Sequence, residues 1–466
     1  MKAAKAHSFG GDHRLSGELQ RRGLRAAPFL LLVSAVFLGG AAWNLSAVTL
    51  SMLGWLILSL AVWLQWRDAA PRWGVIEWFV ACFPALLLLT QLLPLPPSVF
   101  AALPGRASMQ ADLELVGAAG VWRPLSLDVS SSFSAIAAML PAVAMLVSVR
   151  TIPPSTVVDL CRWLVGLACL SVLLGFAQVA GGSDSPFRLH DFHNLTGALG
   201  FFAYRNHQAS FLLMVVPIAV GLMLTSRTPA GVGMSWARAL LALAVPVLLL
   251  GIVLTFSRAG LVLGVAMLGG CGVLIWTTLG GGKHHLWRLS LIAVLAAFGL
   301  LLAVWAGRDL FTGAFGASLW EDGRWGLYAR VAEIAWEYQP VGTGLGSFEQ
   351  VFQRAPENIA LLGARMNHVH NEWLQLWLEL GWFGALIGLI AFSVLLHAAW
   401  IVWRMQVRSR QPATLVLSRA ASISLLLASV HAYFDYALRS GTTMVVFALL
   451  AALLLRERFD GIDQEQ

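Results

Sequence analysis

W-E-D-G-R-W-G-L-Y-A-R at 320–330 and N-H-V-H-N-E-W-L-Q-L-W-L-E-L-G-W-F-G at 367–384 decide how this chain is organised. They belong to a long polar passage inside an otherwise apolar sequence. Asn371 can cap a helix because its side chain accepts from the first free amides, and Trp373 and Trp377 follow at helical spacing. The histidines before Asn371 are therefore predicted to lie where a loop meets a membrane helix.

The composition predicts a membrane protein. Hydrophobic residues make up 58% of the chain and charged residues 12%, and the mean hydropathy is +0.74. Apolar runs long enough to cross a bilayer recur from end to end, so we predict an all-α polytopic membrane protein. The basic residues lie scattered in short connectors and form no stripe with aromatic residues. Contact with anionic lipid and membrane orientation account for them, and nucleic-acid binding is excluded.

Twelve membrane spans fit the apolar runs. They are expected at about 28–44, 46–66, 75–94, 132–149, 156–179, 208–225, 238–256, 259–279, 287–306, 373–402, 415–436 and 440–455. The predicted organisation is a basic cytoplasmic tail at 1–26, one transmembrane domain at 27–456 and a cytoplasmic tail at 457–466. A large external loop at 307–372 would carry short helices. The four cysteines lie in or at the ends of spans and are interpreted as packing residues.

Charge asymmetry gives the orientation. Arginines and lysines concentrate in the connectors that the twelve spans place inside, as the positive-inside rule requires. Cationic residues on the opposite face are scarce and therefore informative. Among these external residues are Arg205, His207, Arg258, Arg324, Arg330, His370 and Arg439. Guanidinium groups match phosphate oxygens, so the five arginines, together with the His207 imidazole, are candidates for binding a diphosphate without a metal ion.

Simpler interpretations apply to single residues. An arginine at a helix end more often reaches toward lipid headgroups than binds substrate. Glu379 lies about 9 Å inside its predicted span and either positions His370 or pairs with an arginine. Asp435 and Arg439 have the i, i+4 spacing of a structural ion pair. In Asp112-Leu113-Glu114, the two carboxylates are the pair that a metal-dependent enzyme would use as metal ligands. Exposure of these charged side chains to solvent at the surface explains the pair better.

Several motifs, in this order, resemble the O-antigen ligase and polymerase family of bacterial envelope glycosyltransferases. They are F-F-A-Y-R-N-H-Q-A-S at 201–210, T-F-S-R-A-G at 255–260, D-G-R at 322–324, P-V-G-T-G-L-G-S-F at 340–348, N-H-V-H-N-E-W-L-Q-L-W-L-E-L-G at 367–381 and H-A-Y-F-D-Y-A-L-R at 431–439. The resemblance covers roughly residues 120–455.

The resemblance implies a multi-pass enzyme of the bacterial inner membrane with its active site facing the periplasm. Such an enzyme takes a glycan from an undecaprenyl-diphosphate carrier and joins it to an acceptor hydroxyl, with no cofactor and no metal. The acceptor is the lipid A core, a growing polysaccharide or another glycan acceptor. The choice between ligase and polymerase stays open, and a lipid-linked glycan flippase is the alternative from another class.

Roles for the candidate residues follow from that chemistry. Arg205, Arg258 and Arg324 would stabilise the leaving lipid diphosphate. His370 would take the proton of the acceptor hydroxyl, and His368 is a second candidate for this base. Glu372 or Glu379 would orient the imidazole.

Overall fold

A computed structural model describes residues 9–40, 44–67, 73–190, 197–226, 235–279, 324–354, 366–405 and 412–462. In chain order, its helices are α1 Phe9–Leu38, α2 Asn44–Trp66, α3 Val75–Leu92, α4 Pro97–Ala102, α5 Ala107–Leu115, α6 Val129–Thr151, α7 Pro154–Ala180, α8 Arg205–Thr225, α9 Trp236–Leu254, α10 Arg258–Leu279, α11 Arg324–Glu337, α12 Phe348–Arg354, α13 Glu372–Arg404, α14 Ala413–His431 and α15 Gly441–Ile462, with a 3₁₀ turn at Ala437–Arg439 before α15. Two short antiparallel strands, β1 Pro94–Leu95 and β2 Arg123–Pro124, pair with each other.

The helices confirm an all-α polytopic membrane protein. In the described ranges, eight helices are long and apolar enough to cross a bilayer, and three shorter apolar helices match the first, third and last predicted spans. The predicted span at 287–306 and much of the loop at 307–372 lie outside the described residues. Helix α1 already begins at Phe9, so part of the expected tail at 1–26 is helical, and α15 continues to Ile462.

Helices α8 and α14 form the centre of the bundle. The membrane-spanning window of α8 is 83% buried by protein and that of α14 is 72% buried. They pack on each other, and one large apolar core continues from them into α6, α7, α10 and α15. The corresponding window of α13 is only 11% buried, so α13 lies at the edge of the part of the bundle that the structure describes.

Helix α13 is broken near its start. A continuous span at 373–402 is predicted, but Gly381 has φ 61° and ψ −153°, which no helix accommodates. The break separates a short helix, Glu372–Leu380, from the membrane-spanning part that follows it. Glu379 therefore lies near the end of the short helix and not inside a continuous span. This corrects the expectation that Glu379 lies about 9 Å inside a membrane span.

A glycine turn at 342–346 holds the broken end of the short helix. The backbone amides of Thr343 and Gly344 donate to the carbonyls of Leu378 and Glu379, at 3.1 and 2.8 Å. These carbonyls have lost their helical partners because the chain turns away at Gly381. At the other end of the helix, the Asn371 side chain accepts from the Leu374 amide at 3.1 Å, as its sequence predicts.

The loop between α3 and α6 packs on the same glycine turn. Arg106 on this loop is fully buried, and its guanidinium donates to the carbonyls of Pro104, Leu125 and Gly342 at 2.8 to 2.9 Å. Burial lowers the pKa of Arg106 to about 10, which still leaves the group charged at neutral pH. Arg106 thus connects the loop to the turn that caps the helix after His370.

We expect Arg106→Ala to destabilise the folded protein by about 3 kcal/mol, because it leaves three buried carbonyls without their charged donor. The readout is the apparent melting temperature of the purified protein in detergent. Arg162→Ala is the matched control, since Arg162 is about half exposed and pairs with Asp159 at the surface. Equal melting temperatures for the two variants would contradict a structural role for Arg106.

Candidate functional site

Four separate segments form one polar pocket of about 170 Å³. This cavity is called the polar pocket below. It is lined by Tyr204, Arg205, Asn206, Arg324, His370, Asp435 and Tyr436. Tyr204, Arg205 and Asn206 lie at the start of α8, and Arg324 is the first residue of α11. His370 precedes α13, and Asp435 and Tyr436 follow α14. The structure therefore brings three predicted site residues, Arg205, Arg324 and His370, into a single cavity.

His370 is held in an unusual backbone conformation. Its φ of 58° lies in the left-handed region, which residues with a side chain seldom adopt. The Tyr328 hydroxyl donates to the His370 carbonyl at 2.6 Å and helps to fix this geometry. Strained residues of this kind concentrate at functional sites, where surrounding contacts stabilise them.

The His370 imidazole pairs with Asp435. Its Nδ1 lies 3.0 Å from the Asp435 Oδ1 atom. Burial raises the pKa of the Asp435 carboxyl, but the hydrogen bond from His370 and nearby positive charges including Arg324 outweigh it and hold that pKa well below its usual range. Because an ionised carboxylate only accepts hydrogen bonds, Nδ1 must carry the proton. In the neutral form of the ring, a proton on Nδ1 leaves the lone pair on Nε2.

Further donors fix the Asp435 carboxylate. The Tyr436 amide donates to Oδ1 at 2.8 Å, and the Asn206 side chain donates to Oδ2. The i, i+4 spacing predicts a pair between Asp435 and Arg439, but α14 ends at His431 and the two residues no longer share a helix. Asp435 pairs with His370, and Arg439 pairs with Glu372 and Glu379, so that interpretation is wrong.

Glu372 and Glu379 contact Arg439 rather than His370. The Arg439 Nε atom lies 3.1 Å from Glu372, and its Nη2 atom lies 3.0 Å from Glu379, which is fully buried. Burial lowers the pKa of Arg439, but the two carboxylates outweigh it and raise that pKa. Arg439 thus pairs with two carboxyl side chains and does not line the polar pocket.

A glutamine links this ion cluster to the histidine segment. The Gln375 amide donates to Glu379 at 2.7 Å, and its oxygen accepts from the Val369 backbone amide at 3.2 Å. The same side-chain nitrogen lies 3.4 Å from the His368 Nδ1 atom. The cluster therefore positions the backbone that leads into His370.

His368 lies behind the polar pocket. Its ring packs against Tyr436, with ring centroids 4.3 Å apart. Burial, followed by the positive charge of Arg439, lowers the pKa of His368 to about 3. The ring is therefore neutral at ambient pH. His207 is also buried, with its ring centroid 5.0 Å from that of Tyr436.

The arginines divide into two groups. The Arg205 guanidinium lies within electrostatic range of Arg258, Arg324 and Asp435. Three cations and one carboxylate leave this region positive, which favours an anion. Arg324 also donates to the Phe434 carbonyl at 2.8 Å. Arg330 is not among the residues that line the polar pocket, and it pairs with Glu333 at 2.9 Å.

Four pocket residues were not predicted as site residues: Tyr204, Asn206, Asp435 and Tyr436. Tyr204 and Asn206 flank Arg205 in the Y-R-N-H motif, so the motif itself was the available signal. Asp112 and Glu114 are exposed on α5, away from the pocket lining. In the ranges described, no group of three or more histidine, cysteine or acidic residues is arranged to hold a metal ion.

Residues 240–389 match a protein-family model described as O-Antigen ligase. This segment contains Arg258, Arg324 and His370, whereas Arg205 and Asp435 lie outside it. Over these residues, the match supports the family resemblance that the motif order indicates. No curated protein sequence matches the chain.

Proposed function

Because residues 240–389 place this chain with the O-antigen ligase family, we propose that it transfers a glycan from undecaprenyl diphosphate to an acceptor hydroxyl at the periplasmic face of the bacterial inner membrane. Glycan transfer in general is the activity of that family. The observation that supports the finer proposal is the polar pocket, where a histidine whose Nδ1 atom pairs with Asp435 lies beside two arginines.

His370 acts as the general base in this mechanism. Its Nε2 atom takes the proton of the acceptor hydroxyl while the acceptor oxygen attacks the anomeric carbon of the donor sugar. Asp435 accepts from Nδ1, keeps the ring in the required tautomer and stabilises the imidazolium that forms. Asn206 and the Tyr436 amide hold Asp435 in place.

The arginines stabilise the leaving group. The bond between the anomeric carbon and the diphosphate oxygen breaks, and its electron pair stays on the lipid diphosphate. Arg205 and Arg324 line the pocket and would contact this developing charge, and Arg258 reinforces the positive field. The products are the glycosylated acceptor and free undecaprenyl diphosphate, with the transferred proton on His370. No step requires a metal ion.

Glu372, Glu379 and Arg439 support the site without contacting the reacting atoms in this proposal. Their ion cluster and Gln375 hold the segment that carries His370. The acceptor is the lipid A core if the protein is a ligase, and a growing polysaccharide if it is a polymerase.

A transfer assay in detergent tests the proposal and excludes transport as the source of the signal, since detergent leaves no membrane to cross. Purified protein is mixed with an undecaprenyl-diphosphate-linked glycan and either lipid A core or a second lipid-linked unit. We expect glycosylated acceptor and free undecaprenyl diphosphate in equal amounts. If the protein binds the donor but releases no diphosphate with any acceptor, the flippase alternative gains support.

The same assay tests metal independence. We expect the rate in excess EDTA to stay within about twofold of the untreated rate, because arginines supply the positive charge at the diphosphate. A protein boiled before the assay gives the background. Activity that disappears in EDTA and returns with magnesium or manganese would reject this expectation and make Asp112 and Glu114 candidate ligands.

A further inference from the structure

Helix α11 carries two residues that contact the proposed site, and they lie one helical turn apart. Arg324, the first residue of the helix, lines the polar pocket. Tyr328 donates its hydroxyl to the His370 carbonyl at 2.6 Å. Residues four apart in a helix share a face, so one face of α11 carries both an arginine for the leaving diphosphate and a hydrogen-bond donor for the segment of the base.

A small apolar core fixes α11 against the segment that carries His370. Leu327 and Val331 of α11 are buried in this core, and so is Val369, the residue before His370. Tyr328 is half-buried and packs against the same core. Because protein interiors are closely packed, this packing sets the position of the Tyr328 ring whether or not its hydroxyl has a partner.

The chain around His370 is held on both sides. The Val369 amide donates to the Gln375 side chain at 3.2 Å, and the Glu372 amide donates to the Ala432 carbonyl at 2.8 Å. Between these two contacts, His370 has a φ of 58°. Since the flanking residues are fixed, the rotations that direct the His370 carbonyl also direct its side chain. A hydrogen bond to this carbonyl therefore helps to place the imidazole.

We propose that Tyr328 is a positioning residue for glycan transfer, whose hydroxyl keeps His370 in the left-handed conformation that directs the imidazole to Asp435. This inference rests on the proposed function, in which His370 is the base. The side chain crowds the backbone in a left-handed conformation, and the hydrogen bond from Tyr328 offsets part of that strain. Without the hydroxyl, His370 populates other conformations, in which Nδ1 loses its contact with Asp435.

Tyr328→Phe removes the hydroxyl and keeps the ring. We expect kcat to fall roughly tenfold, because a lost hydrogen bond of ordinary strength changes a conformational equilibrium by about that factor. Affinity for undecaprenyl diphosphate should stay within about twofold of normal, since the arginines of the pocket are unchanged. The rate is expressed per donor-binding site in the same preparation, so unfolded protein does not mimic the effect.

Tyr433→Phe is the matched control. Its ring contacts that of Tyr328, with centroids 6.4 Å apart, and it loses the same hydroxyl group at a position that is 43% exposed. We expect this variant to transfer glycan within about twofold of the normal rate. A Tyr328→Phe rate equal to the Tyr433→Phe rate would overturn the proposal.

A double-variant cycle separates positioning of the base from general damage to the fold. If Tyr328 acts through His370, Tyr328→Phe should leave the residual rate of His370→Ala unchanged within about twofold. A further loss of about tenfold in that background would overturn the proposal, because the hydroxyl would then support the site by another route.

NMR of protein with ¹⁵N-labelled histidine detects the His370–Asp435 pair without any substrate. The His370 resonance is assigned by its absence from His370→Ala. We expect Tyr328→Phe to shift it toward that of an imidazole in free exchange between its tautomers, and Tyr433→Phe to leave it in place. An unshifted resonance in Tyr328→Phe would overturn the proposal. A wild-type protein that transfers no glycan would contradict the proposed function, whereas this spectrum would still decide whether Tyr328 positions the His370 ring.

Discussion

Replacing His370 with alanine is expected to lower the transfer rate by roughly 10²- to 10⁴-fold, because it removes the proposed general base. Donor affinity should change little, since the base acts on the acceptor proton in the transition state. The measurements are kcat in the detergent assay and binding of undecaprenyl diphosphate to the same preparation. A His370→Ala variant that transfers glycan at close to the normal rate would show that another residue is the base.

Asp435→Asn should produce a loss of similar size. An asparagine amide can donate to Nδ1, which favours the ring tautomer whose Nε2 carries the proton and cannot act as a base. Because the two residues act as one unit, the double variant should be little worse than His370→Ala alone. His368→Gln is the control: its ring packs outside the pocket lining, and transfer should stay within about tenfold of normal. Losses that multiply in the double variant would mean that Asp435 has a separate role.

The second large effect is expected at Arg205. Arg205→Lys keeps the charge but loses the planar pair of donors that matches phosphate oxygens. We expect affinity for undecaprenyl diphosphate to fall roughly 10- to 100-fold, and Arg205→Ala to cost more. Direct binding and the dependence of the transfer rate on donor concentration both measure this change. The effect should appear in the ground state as well as in the transition state, in contrast to His370→Ala.

Arg330→Lys provides the matched control for that experiment. Arg330 was a candidate on the same grounds as Arg205, but the structure pairs it with Glu333 outside the pocket lining. Its conservative substitution should leave donor affinity within about twofold of normal. If Arg330→Lys weakens binding and Arg205→Lys does not, the diphosphate binds elsewhere and the assignment of the pocket is wrong.

The sequence predicted most of the helices because a bilayer imposes a simple length requirement on apolar runs. It also predicted the helix cap at Asn371. Charge asymmetry identified Arg205, Arg324 and His370 as candidate site residues. Which charges pair with each other was less predictable. Asp435 and Arg439 have helical spacing, but the helix ends at His431, and local spacing carries no information once the chain leaves the helix.

The break at Gly381 was also hidden in the sequence. Hydropathy is continuous across 373–402, and a single glycine is compatible with a membrane helix. The break is stabilised by amides of Thr343 and Gly344, which lie far away in sequence. A contact of this range leaves no periodic signal, so the glycines at 342–346 indicated a turn without indicating its partner.

This capping contact has a consequence for genetic screens. A Cβ atom at Gly342 would lie 2.5 Å from the Gly381 nitrogen, so any other residue there must push the turn and the short helix apart. The displacement would travel along Glu372–Leu380, about 13 Å, to the loop that holds the imidazole. Inactive variants at Gly342 would therefore have the same phenotype as substitutions of His370, the proposed base, although Gly342 does not line the polar pocket.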